Sequence, residues 1–183
     1  MQALIVIDAQ NEFSEKGRRP VPNHSAAIEV IRDRVEQARH EGRPIAWVRH
    51  FNKPTESHAF VQGTWGAEFS PGCGPKPGAE TEIEFQKNVY GAFTGTKLGS
   101  WLKSAGSFEV LIVGFYTHGC VSTTVREAIM ADLIVFIDPE GTGACDMSHT
   151  ILGTQKADDV RRSALLQLAS MGAKITSLRT DNT

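Results

Sequence analysis

Val110-Leu111-Ile112-Val113-Gly114-Phe115 runs through Tyr116-Thr117-His118-Gly119-Cys120 into Val121-Ser122-Thr123-Thr124-Val125-Arg126-Glu127-Ala128, an apolar strand breaking through a short turn into a helix. A nearly continuous apolar run bounded by turn residues is what a strand shows when both of its faces are covered. The helix that follows puts Cys120 beside unsatisfied backbone N–H groups and the positive end of a helix dipole. That setting is expected to lower the thiol pKa and raise the thiolate fraction. A lone free cysteine is also commonly a buried structural residue, and position alone leaves the two readings near parity.

Two residues elsewhere tip the balance. Asp8 follows Ala3-Leu4-Ile5-Val6-Ile7, a second apolar run, and so stands at the carboxyl end of a strand, where open α/β sheets collect ligands and catalytic groups. Lys87 closes the short alternating stretch Glu82-Ile83-Glu84-Phe85-Gln86-Lys87. Asp and Lys are ordinary at turn starts, so neither alone justifies a catalytic role. With Cys120 they supply a base, a cation and a thiol.

Between these points the pattern alternates. Ile28, Ile31, Val35 and Ala38 share one face of a helix over 25–39 with Gly42 beyond its end, and Ile45-Ala46-Trp47-Val48 gives a second strand. Residues 83–86 give a third. Leu98, Trp101 and Leu102 mark a helix over 97–104, residues 133–137 a fifth strand, 157–171 a helix with Val160, Ala164, Leu165 and Leu168 inward, and 174–178 a last strand. Two stretches, 51–80 and 138–155, read as long loops of the kind that are functional or mobile. The first holds Trp65 and Phe69, as a wall or lid over a site or as anchors of their own loop.

Strands alternating with helices predict an α/β fold, a three-layer α/β/α sandwich on a six-stranded, mostly parallel sheet. In the doubly wound order 3-2-1-4-5-6 the first and fourth strands are neighbours at the switch point, which brings Asp8 and Cys120 together. Lys87 then approaches from an edge strand. The 183 residues fit one domain, 1–183, without an internal repeat or linker.

A net charge of −2 gives no electrostatic footprint for nucleic acid or an anionic membrane. No stretch has the apolar length of a bilayer span, and the chain enters a core strand directly, so cytoplasmic residence is the expectation. Three cysteines, widely spaced and without a CxxC pair, argue against a disulfide framework and a zinc ribbon. Cys73 and Cys145 read as incidental free thiols. With neither GxGxxG nor P-loop, a phosphate-cradling site has little support, and no cofactor is expected.

Ile7-Asp8-Ala9-Gln10-Asn11-Glu12-Phe13, Lys87-Asn88-Val89-Tyr90-Gly91-Ala92-Phe93-Thr94-Gly95-Thr96 and Gly114-Phe115-Tyr116-Thr117-His118-Gly119-Cys120-Val121, in that order, resemble the isochorismatase-like cysteine hydrolase family across nearly the whole chain. The resemblance implies a catalytic triad of Asp8, Lys87 and Cys120, a cis peptide between Phe115 and Tyr116, and an oxyanion hole from the N–H groups of Tyr116 and Cys120. It also implies a homo-oligomer. Because Cys120 is kept, the resemblance points to the family's amidohydrolases, which act on small amide, ureido or carbamoyl compounds, and away from its vinyl-ether hydrolases. Nicotinamidases of the family bind a metal through an Asp-x-His pair and a further His. Here the stretch reads Val48-Arg49-His50-Phe51, with His58 later, so no metal is expected and His50 and His58 read as loop or pocket polar groups.

The chemistry inferred from these residues begins with Asp8 taking the proton of Cys120 while Lys87 steadies the charge, followed by attack on a carbonyl and hydrolysis of a thioester. Phe13, Trp65, Tyr90 and Phe115 are expected around the scissile group, with His118 shaping the pocket rim. Asp138 and Asp146 read as solvated or capping groups. Two other readings stay open: a vinyl-ether hydrolase, and a non-catalytic small-ligand-binding module on the same sheet.

Overall fold

The computed structural model describes residues 1–176. Its six-stranded parallel sheet is built from β1 (Gln2–Ile7), β2 (Ile45–His50), β3 (Glu82–Lys87), β4 (Glu109–Phe115), β5 (Ile134–Gly143) and, after an antiparallel hairpin of β6 (Met147–His149) and β7 (Gly153–Gln155), β8 (Lys174–Ile175). The order across the sheet is β3-β2-β1-β4-β5-β8, the predicted doubly wound order with β8 as sixth strand. The expected last strand extended to Leu178, and residues 177–178 lie outside the described residues.

Alternation along β1 explains why its sequence is apolar throughout. Ala3, Ile5 and Ile7 enter one core cluster, Leu4 and Val6 the other. The second cluster is closed by Ile28, Ile31, Val35 and Ala38 of α1 (His24–His40), and the first by Leu98 and Leu102 of α2 (Leu98–Ser104), Val125 and Ala128 of α3 (Ser122–Met130) and Leu168 of α4 (Ala157–Ser170). One helix on one face and three on the other make the three layers. Burying a Leu or Ile is worth roughly 1.5–3 kcal/mol, so these two stripes are the main reason the strands lie where they do.

The stretch 138–155 departs from the expected loop. β5 continues through Gly143, with Gly114↔Thr142 and Phe115↔Gly143 aligned beyond an irregularity between Ile112 and Gly114. Pro139, Gly141 and Gly143 gave this segment the composition of a loop. The backbone groups of the upper half of β4 nevertheless need partners, and a buried unpaired peptide group is too costly to leave. Asp138 is fully buried against Arg34 of α1, Oδ2 to Nε 2.8 Å, while its Oδ1 accepts from the Glu140 N–H. Asp146 matches the capping expectation, accepting from the Ala157 N–H at the start of α4 and from Lys156. Among the described residues no helix is long and apolar enough to cross a membrane.

Candidate active site

The carboxyl ends of β1, β3 and β4 converge as the sheet order requires. Asp8 leaves β1 in the left-handed region, φ 50°, a conformation that carbonyl-bearing Asp and Asn tolerate better than other side chains. β4 passes close alongside. Gly114 has φ 123°, and a Cβ there would lie 1.9 Å from the Ile7 carbonyl oxygen, so only glycine lets β4 bring the following turn against Asp8. The Phe115–Tyr116 peptide is cis, as the resemblance implies.

Cys120 lies inside a π-type turn, Thr117–Val121, two residues before α3 begins at Ser122. Such turns recur at functional sites. Two side-chain hydrogen bonds brace it: Thr117 Oγ1 and Thr142 Oγ1 meet at 2.8 Å, and Thr123 Oγ1 donates to the Gly119 carbonyl at 3.0 Å. The Tyr116 N–H donates to no backbone carbonyl among the described residues.

Lys87 reaches across β2 from the sheet edge. Its Nζ donates to Asp8 Oδ2 at 2.7 Å and contacts His50 Nδ1 at 3.2 Å, and it also faces Cys120. Burial works to lower the lysine pKa, but Asp8 and Cys120 outweigh it and hold the ammonium above its ordinary value. Asp8 Oδ1 is buried without a hydrogen-bond partner. One carboxylate oxygen, one His50 nitrogen and Cys120 Sγ lie within 4.8 Å of one another.

The expected depression of the Cys120 pKa is not what this environment gives. Burial, reinforced by the Asp8 carboxylate, pushes the thiol up to about 12, with Lys87 only partly offsetting them. The dipole argument fails because the turn sets Cys120 in a largely enclosed position facing an acid, where desolvation outweighs the helix end. The sulfur therefore rests as a thiol.

His50 is the residue that sequence reasoning underrated. It pairs in register with Lys87, and its Nε2 lies 2.8 Å from Asn52 Oδ1. Burial and the Lys87 charge lower its pKa. The partners fix a neutral ring with Nδ1 accepting from Lys87 and Nε2–H donating to Asn52. Its place at the end of β2, one strand from Lys87, was the available signal. Gln10 was also missed: its amide donates to the carbonyls of His50 and Ala67 and accepts from the His50 N–H, tying β2 to the 51–80 segment.

An open cavity of about 700 Å³ lies over these groups, lined by Asp8, Cys120, Phe13, Tyr90, Tyr116 and His118 among others. Two expected lining residues are elsewhere. Phe115 is fully buried between Phe13 and His24, because it is the last inward side chain of β4. Trp65 is half-exposed and lines a different surface groove with Lys16 and Arg32, and Phe69 packs edge-on against Trp47. Phe60 takes the wall position, in contact with Phe13 and His50. Cys145, read as incidental, also lines the cavity and adjoins the Tyr116 hydroxyl.

The metal site of the family's nicotinamidases does not fit these side chains. His58 is exposed, both His50 nitrogens are engaged, and the Lys87 ammonium stands between the remaining donors, where it would repel a cation.

An open parallel sheet whose switch point carries a buried acid, a cation and a thiol is the α/β class of protein that places its chemistry at the strand ends. Residues 2–180 match the model of the isochorismatase domain, and the chain belongs to the isochorismatase family of hydrolases. It is 31% identical over 179 residues, 98% of this chain and 89% of the relative, to a secreted isochorismatase effector of Verticillium dahliae. Among solved structures it resembles an isochorismatase of Pseudomonas putida (28% identity, TM-score 0.88, 96% of this chain and 87% of that one). It also resembles a pyrazinamidase of Pyrococcus horikoshii in complex with zinc (26%, TM-score 0.80, 97% and 99%).

Proposed function

We propose that the protein is a cysteine-dependent amidohydrolase that cleaves a C–N bond of a small amide, ureido or carbamoyl substrate through a thioester. The observation that carries this reading is the asymmetry of Asp8: Oδ2 is held by Lys87, Oδ1 is buried and unpartnered, and a carboxylate oxygen of the same residue lies within 4.8 Å of the Cys120 sulfur. An unsatisfied buried carboxylate oxygen costs stability, and a proton arriving from sulfur repays that cost during the reaction. The buried ion pair supports the reading, because an apolar pair of similar volume is commonly neutral or stabilising.

Asp8 Oδ1 takes the Cys120 proton as sulfur attacks the substrate carbonyl, and Lys87 balances the charge. The N–H groups of Tyr116 and Cys120 receive the oxyanion, a contact worth on the order of 3–4 kcal/mol per donor. As the tetrahedral adduct collapses, Asp8 returns the proton to nitrogen and the amine or ammonia leaves. Water, deprotonated by Asp8, then cleaves the thioester, releasing the acid and restoring the thiol. No step uses a metal or cofactor. The vinyl-ether alternative is disfavoured by the thiol at position 120, and a ligand-binding module would not need the orphaned acid.

The same reading takes residues 1–183 as one hydrolase domain acting on a small molecule, with neither nucleic acid nor membrane as partner. A homo-oligomer is part of it, supported by Ile151 and Leu152 at the β6–β7 tip, 85% and 84% exposed. Cytoplasmic residence is supported by three unpaired cysteines, and cell fractionation tests it against the secreted location of the Verticillium relative. The deciding experiment is a screen of amides and ureido acids for ammonia release with wild type and Cys120→Ala. Turnover that survives the substitution overturns the mechanism.

A further inference from the structure

The cavity's charges do not balance. Among the described residues, Asp8 is the only carboxylate and Arg19 the only lysine or arginine along its wall. Asp8 is already neutralised by Lys87. Burial lowers the pKa of His118 and, with Lys87, that of His50, so both rings are neutral at pH 7. Arg19 alone is left, and among the described residues it takes part in no ion pair.

Its position is built, although its side chain is exposed. Buried Glu12 accepts from the Arg18 N–H through Oε1, and its carbonyl accepts from the Arg19 N–H at 3.0 Å. On the other side, the Tyr116 hydroxyl donates to the Arg19 carbonyl at 2.9 Å. Burial raises the Tyr116 pKa, so that phenol stays a donor. Tyr116 thus bridges from the turn that carries Cys120 to the backbone of Arg19, and one tyrosine side chain sets how far the guanidinium's anchor lies from the reacting carbonyl.

We infer that Arg19 is a specificity-determining residue that receives an anionic group of the substrate, so that the enzyme acts on a carboxylate-bearing amide or ureido acid in preference to a neutral one. This rests on the proposed nucleophile, and the test separates the two. Iodoacetate and iodoacetamide differ in little but charge, and with either the sulfur of Cys120 displaces iodide and forms one S–C bond. Site-resolved mass spectrometry at pH 9 gives the Cys120 rate for each reagent in wild type, Arg19→Gln and Arg19→Lys.

The iodoacetate-to-iodoacetamide rate ratio is expected to fall on the order of tenfold in Arg19→Gln, the scale of one charge pair near a solvent-open rim. It should be largely kept in Arg19→Lys and collapse toward the Arg19→Gln value in high salt. The matched substrate pair succinamate and succinamide should show the same preference in KM. A ratio unchanged in Arg19→Gln, with Cys120 labelled by both reagents, overturns the role of Arg19 and leaves the nucleophile standing. If neither reagent labels Cys120, the nucleophile fails and the inference falls with it.

Discussion

Asp8 and Lys87, 79 residues apart in the chain and at the ends of strands separated by β2, meet in a buried contact of 2.7 Å. Removing one partner of such a pair strands the other in a dry site, at a typical cost of 3–5 kcal/mol. Lys87→Met is therefore expected to lose about that much in urea denaturation and to lose turnover. The double variant Asp8→Asn/Lys87→Met should regain most of the stability while remaining inactive. Full stability of the single variant would show that the contact is not formed in solution.

Stability should fall on both sides of neutrality. The Cys120 thiol sits at about 12 against an ordinary 9.0, so between those values the folded state holds a proton that the unfolded chain has released, and stability declines as pH rises. Cys73, pushed up to about 11 by burial, adds to the same slope. Cys120→Ala should flatten part of the decline. On the acid side His24, His50 and His118 are all lowered from 6.5, so the unfolded chain binds protons first and stability drops as pH falls below that value. Urea midpoints from pH 5 to 11 measure both limbs.

Gly114→Ala is expected to destabilise by about 3 kcal/mol or more, since it combines a positive φ with a methyl group driven into the Ile7 carbonyl. Circular dichroism and turnover should fall together, because the same approach of β4 to β1 holds Asp8 beside the Cys120 turn. A variant that folds normally but is inactive would contradict that coupling.

Turnover should persist after exhaustive chelation, with no stoichiometric zinc or iron by elemental analysis of the active enzyme. The ammonium of Lys87 against Asp8 and His50 is the reason. Loss of activity on chelation, restored by a divalent ion, would refute it.

If the β6–β7 tip meets a second copy, the pair Ile151→Asp and Leu152→Asp should lower the mass seen by light scattering without changing the thermal midpoint of the protomer. A wild type already monomeric at micromolar concentration would remove that interface.

Much of this was legible in the chain. Strand runs such as Ala3 to Ile7 and Val110 to Phe115 are apolar because both faces are covered, and the winding order then dictates that Asp8 and Cys120 meet. Lys87 was legible as a strand-end cation. What could not be read was long-range and local at once. The upper half of β5 is written in Gly and Pro and becomes strand only because β4 demands a partner. Phe115 and Trp65 looked alike as aromatics near the site, yet the facing of one strand residue buried the first and the course of a long segment carried the second away. The thiol pKa went the wrong way because a turn of five residues, invisible in composition, traded a helix end for a dry acidic neighbour.

Lys87 belongs to β3, an edge strand of the sheet, which among the described residues is zipped to the rest through β2 alone. The proposed catalytic cation is therefore mounted on a strand laddered on one side, where partial opening costs less than in the middle of the sheet. Peeling of that one ribbon would disarm the enzyme while the remaining five strands stay folded. Amide exchange along 82–87 would then report the opening that limits turnover on heating.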